Sequence, residues 1–72
     1  MSVSADARRL CQVIARDTDR RPMRWKMASE AADLADLKAD RAAAAIAHAV
    51  KSGWLIEEGG HSVALTDAGR KL

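Results

Sequence analysis

The stretch KADRAAAAIAHAVKSGWLIEEGGHSVALT, Lys38 to Thr66, decides how the chain folds. From Ala39 to Val50 the apolar residues Ala42, Ala43, Ile46, Ala49 and Val50 recur at helical spacing, and no Pro or Gly intervenes before Gly53. After Gly53 the rhythm becomes that of strands. Trp54-Leu55-Ile56 and Ser62 to Leu65 are rich in strand formers and flank Gly59-Gly60. Both central residues of the favoured two-residue hairpin turn take positive φ, which glycine does without steric cost. Pairing across that turn sets Ile56 opposite Val63 and Trp54 opposite Leu65, four side chains predicted to share one buried face.

Working outward, residues 1–3 are expected to be loose. Ser4 is the expected N-cap of a helix from about Ala5 to Arg16, with Ala7, Leu10, Cys11 and Ile14 inward and Arg8, Arg9, Gln12 and Arg16 wet. Pro22 disfavours helical geometry at Arg21 and marks a connection. Met23 to Met27 alternates apolar and basic residues, which predicts a short strand carrying Met23, Trp25 and Met27 on one side. A lone strand is unstable, so it must pair with the hairpin into a three-stranded antiparallel sheet. A helix follows from Ala28 to Ala35, capped by Ser29, with Ala31, Leu34 and Ala35 inward. Were it to start at Met27, Glu30 would reach the third helical position. Asp36 suits a left-handed turn, and Leu37 is placed to plug the junction with the next helix. Thr66 should cap a final helix that the chain barely begins.

Composition narrows the class. A chain of 72 residues forms one domain, 1–72, and buries only about 60% of the surface its unfolded form exposes. Sixteen of the apolar residues are Ala, so the core must be thin and the helices close. Tyr and Phe are absent, which argues against a site built on stacked bases. The single Cys11 cannot form an intrachain disulfide, and neither a signal peptide nor a spanning apolar run is present, so a reducing cytoplasm with no membrane contact is expected. Charge is uneven. Residues 1–26 carry seven Lys/Arg against three acids, whereas residues 27–72 carry five against seven.

The order helix, strand, helix, turn, helix, hairpin, together with AADLADLKADRAAAAI, KSGWLIEEGG and VALTDAGRKL, resembles the winged helix-turn-helix domains of bacterial transcriptional regulators. The resemblance implies a mainly α fold with a small antiparallel sheet: three helices, three strands, a short wing at Glu57–Ser62 and a vestigial C-terminal helix. Ala32 would lie where two helices cross, Leu37 would anchor the turn, and Ala39 to Ser52 would be the recognition helix. By the same resemblance the chain is expected to bind double-stranded DNA as a small transcriptional regulator, a monomer or weak homodimer, with the helix in the major groove. Arg41 would contact a guanine, Ala44 and Ala45 would approach thymine methyls, and Lys38, His48 and Lys51 would hold phosphates. Arg20, Arg21, Arg24 and Lys26 would add backbone contacts.

A second reading keeps the fold and changes the partner. An exposed alanine surface, an acidic wing at Glu57 and Glu58 and a basic first helix also suit a protein-interaction module. Catalysis is not expected: Ser52 follows His48 by one helical turn and Ser62 follows His61, but neither pair has a positioned acid or a substrate pocket. Cys11, His48 and His61 lack metal-ligand spacing, so neither metal nor cofactor is expected.

Overall fold

The computed structural model describes residues 2–72. Four helices, α1 (Val3–Asp17), α2 (Ala28–Leu34), α3 (Ala39–Lys51) and the short α4 (Asp67–Arg70), surround a three-stranded antiparallel sheet of β1 (Lys26–Met27), β2 (Leu55–Glu58) and β3 (Ser62–Leu65). The strand order is β1-β3-β2, so β3 is central and β2 forms one edge. Of residues 1–3, Met1 lies outside the described residues. Ser2, rather than Ser4, caps α1 by accepting the Ala5 amide at 3.1 Å, and Val3 opens the helix.

The helices end alike, and that ending shapes the chain path. After α1, α2 and α3 the residues Asp19, Asp36 and Gly53 take positive φ of 56°, 57° and 80°. The amide after each reaches back into its helix: Arg20 to Ala15 O at 2.7 Å, Leu37 to Ala32 O at 2.9 Å and Trp54 to Ala49 O at 2.9 Å. This is the Schellman arrangement, which satisfies carbonyls the helix leaves orphaned and turns the chain sharply. The left-handed Asp36 and the buried Leu37 match the sequence expectation. The second helix has Met27 at its N-cap with no side-chain cap, and Ser29 lies inside it. Glu30 is therefore third in the helix, as the alternative start required.

Alanine makes the core. Leu10, Ile14, Leu55 and Val63 are its largest fully buried members, joined by Cys11, and alanines of α1, α2 and α3 fill the rest. α1 packs mainly on α3. Small side chains let the two backbones approach closely, so dispersion accumulates without bulk.

Three expectations are corrected. The hairpin pairs Leu55 with Leu65, Ile56 with Ala64, Glu57 with Val63 and Glu58 with Ser62, one residue out of the expected register. The loop is Gly59-Gly60-His61, with φ of 65° and 73° at the glycines. A one-residue slip exchanges the faces of a strand. Leu55 therefore enters the core and Ile56 faces out. The slip is set at the open end. There the Thr66 amide donates to Trp54 O at 3.0 Å and the Thr66 hydroxyl donates to Gly53 O at 2.5 Å.

Second, only Lys26 and Met27 of the expected Met23–Met27 strand pair with β3. Met23 sits at φ 55°, which interrupts the extension. The side that carries Met23, Trp25 and Met27 is exposed, Trp25 at 41%, and Leu34 of α2, expected inward, also faces solvent. Third, α3 is rotated from the expected phase: Ala42, Ala45, Ile46 and Ala49 are buried, while Ala43 and Val50 are exposed. Alanine carries too little hydrophobic contrast to fix the phase in advance.

α4 completes the clasp. The Thr66 hydroxyl accepts the Gly69 amide at 3.1 Å, as an N-cap should. A Cβ on Gly69 would lie 2.1 Å from the Trp54 carbonyl oxygen and 3.0 Å from Leu65 Cδ2. Gly→Ala inside a helix ordinarily stabilises by about 1 kcal/mol. Here the overlap wins. Gly69→Ala is expected to destabilise the protein by about 2–3 kcal/mol, lowering the thermal midpoint by roughly 10–20 °C in a domain of this size. Thermal melts followed by circular dichroism check the sign.

Candidate recognition surface

The helix expected to read a ligand is held in place by an ion pair that local sequence patterns do not reveal. Arg41, in the first turn of α3, donates Nε to Asp6 Oδ2 at 3.0 Å and Nη2 to Asp6 Oδ1 at 2.7 Å. Asp6 lies in α1 and is only 8% exposed. The fork geometry of guanidinium and carboxylate makes this a strong, directional contact between the two helices. Arg41's hydrogen bond, followed by its charge and opposed by partial burial, holds the Asp6 carboxyl below its usual range. The same bond, with the Asp6 charge, raises Arg41.

The other expected contact residues are scattered in role. Ala45, one turn after Arg41 on the stripe facing α1, is fully buried, so its methyl is not available to a base. Ala44 is exposed. His48 packs its ring edge-on to Trp54 with centroids 5.9 Å apart, and the Arg8 guanidinium sits 5.9 Å from the Trp54 ring centre. Lys26 is bound to Asp17 at 2.5 Å and lies 3.8 Å from Glu30, leaving its side chain 16% exposed. Its ammonium serves to hold the start of β1 to α1, and the Asp17 hydrogen bond raises its pKa. Arg21 reaches Asp19 at 4.0 Å on the surface. Lys38, Lys51, Arg20 and Arg24 are exposed and make no ion pair among the described residues.

What the fold does build is an open apolar groove of ≈ 760 Å³ between α2, α3 and the β2–β3 hairpin. Ala32, Leu37, Ala42 and Ile46 form its floor, and these four keep the greatest exposure among the core hydrophobics, 6–9%. Ala43, Ala47 and Val50 of α3 make one wall and Ala28 of α2 another. Asp33, Glu57 and Lys51 also line it. Asp36, Asp40 and Glu58, all exposed, belong to the same elements and their connection. The alanines expected outward, Ala44 and Ala45, do not line the groove, and Ala43 and Val50, expected in the core, form its wall, so the groove was not foreseen.

Among the described residues no group of three or more His, Cys, Asp or Glu side chains is placed to hold a metal ion. His61 Nδ1 lies 3.4 Å from Ser62 Oγ at an exposed turn. Cys11 is fully buried and burial pushes its thiol up to about 12, so it behaves as a small apolar residue. No described helix is long and apolar enough to cross a membrane. Comparison with protein-family models, with curated proteins and with solved structures returned no match.

The Asp6–Arg41 pair has a pH signature. Since the carboxyl titrates lower in the folded than in the unfolded protein, its contribution is complete above about pH 4, the unfolded value, and is lost as pH falls through the folded value. Asp6→Asn is therefore expected to destabilise the protein at pH 6–7, with the gap to wild type closing below about pH 4. Urea midpoints measured across that range check it, and a gap independent of pH would remove the pair from the account.

Proposed function

We propose that this chain is a winged-helix recognition module that docks a helix from a protein partner in the groove between α2, α3 and the hairpin. The element order, the Asp36–Leu37 turn between α2 and α3 and the β1-β3-β2 sheet support the winged-helix reading. The observation that carries the choice of partner is the character of the outward side of α3. It presents Ala43, Ala44, Ala47 and Val50, with Asp33 and Glu57 lining the groove beside it and Asp36 and Asp40 exposed where α3 begins. Lys38, Lys51 and the neutralised Arg41 are the only cations of α3 or its N-cap.

A phosphate backbone approaching such a face meets more carboxylates than free cations, and duplex affinity rests on cations. An amphipathic helix meets the opposite situation. Small residues on α3 let its backbone come close, the groove floor takes apolar anchors at helical spacing, and Lys or Arg on its flanks pair with the acidic sides. The partner is thus a helix with small or aliphatic anchors and basic flanks.

A second reading is duplex DNA bound by the same helix. It is favoured by Lys38 and Lys51, free at opposite ends of α3 with Ala44 exposed between them. Mobility shift of a random duplex at low salt separates the two: retention that disappears in Lys38→Glu/Lys51→Glu would favour DNA on α3.

For the docking reading, the probe is a labelled synthetic helix with alanine and leucine on one side and lysine on its flanks, compared with a twin carrying glutamate. The lysine peptide is expected to bind and the glutamate twin to fail. Ala47→Trp, which fills the groove, should weaken the complex at least about tenfold, or 1.4 kcal/mol. Equal binding of the two peptides, or indifference to Ala47→Trp, would overturn the assignment.

A further inference from the structure

Both carboxylates of α1 are consumed by ion pairs with other elements. Asp6 is held by Arg41 of α3 and Asp17 by Lys26 of β1. What α1 and the following loop leave in solvent is a series of arginines: Arg8, Arg9 and Arg16 on the helix, then Arg20, Arg21 and Arg24. Asp19, beside Arg21, is the only acid left among them. The six cations are all arginine, although the chain uses lysine elsewhere. Two are already oriented. Arg8 lies over Trp54, and Arg9 donates Nε to Ala35 O at 3.2 Å.

We infer that this arginine ridge, on α1 and the α1–β1 loop rather than on α3, is a binding surface for the phosphate backbone of a nucleic-acid duplex. Arg8, Arg9 and Arg16 span about 12 Å of α1 at 1.5 Å per residue, and a duplex presents one charge per ~1.7 Å of axis, so the helix arginines match a short run of phosphates and the loop arginines continue past the turn at Asp19. Among its arginines the wet side of α1 carries Ala5 and Gln12, a pattern that suits a solvated backbone, while in the loop the exposed Met23 and Trp25 flank Arg24. The site is separate from the groove and does not depend on what occupies it.

The test is affinity for a random-sequence DNA duplex as a function of salt, measured by fluorescence anisotropy on the full chain. If about five phosphates are neutralised, affinity falls by roughly 10²–10³ between 50 and 200 mM salt. Arg16→Gln/Arg20→Gln/Arg24→Gln is expected to flatten the salt slope by roughly three units, because each lost phosphate contact removes close to one. Lys38→Gln/Lys51→Gln should leave it unchanged. These are exposed positions, and circular dichroism melts confirm that each variant folds; if the triple variant does not, the single changes Arg16→Gln and Arg24→Gln, each worth about one unit of slope, replace it. Absence of binding at low salt, a slope unaffected by the ridge variants, loss through the lysine variant instead, or binding to phosphatidylserine vesicles without binding to duplex would each overturn the assignment.

Discussion

The carbonyl of Trp54 is the point on which the small sheet turns. It accepts the Thr66 amide, has the Cα of Gly69 packed against it and follows directly on the left-handed Gly53 that ends α3. Those contacts tie the end of α3, the start of β2 and the start of α4 into one knot. With the open end of the hairpin fixed, its register is fixed, and with it the choice of Leu55 over Ile56 for the interior. The Gly-Trp and Thr-Asp-Ala-Gly phrases are thus two halves of one contact, separated by the length of the hairpin.

The second constraint is economy of bulk. With alanine supplying so much of the core, the helices hold together by proximity and by a few directed bonds: Asp6 with Arg41, Asp17 with Lys26, and Arg9 Nε on the end of α2. Each bond spends a charge on architecture. The cost appears at α3, whose single arginine is committed to α1, and the benefit appears on α1, whose acids are silenced. The resulting molecule is basic on one side and apolar with an acidic border on another, an asymmetry already present in the uneven halves of the sequence.

Much of this was legible from residue order. Gly53 announced the end of α3, Asp36 the left-handed turn, Leu37 its plug, and Thr66 the last cap. Each of these rests on local backbone chemistry, which neighbours in sequence determine. The misses share a different cause. The hairpin slipped by one residue because bonds to Thr66 and the approach of Gly69 outweighed the local appeal of a Gly-Gly turn. The phase of α3 was misjudged because a run of alanines gives no contrast between sides. The Asp6–Arg41 pair spans 35 positions, and nothing near either residue points to the other. Of the candidate site, an exposed alanine face was expected at Ala44 and Ala45, but the face that borders the groove is that of Ala43, Ala47 and Val50, and Ala45 is buried.

The two glutamates of β2 have an additional effect on how the protein behaves in a crowd. An edge strand with free amides and carbonyls invites any extended chain to join the sheet, and the opposite margin, β1, offers only two residues for such pairing. Glu57 and Glu58 place like charges along the longer margin, so a second copy approaching parallel and in register would bring carboxylate to carboxylate. Sheet growth between copies is discouraged on one side by repulsion and on the other by brevity, which favours a dispersed protein over fibrous self-assembly.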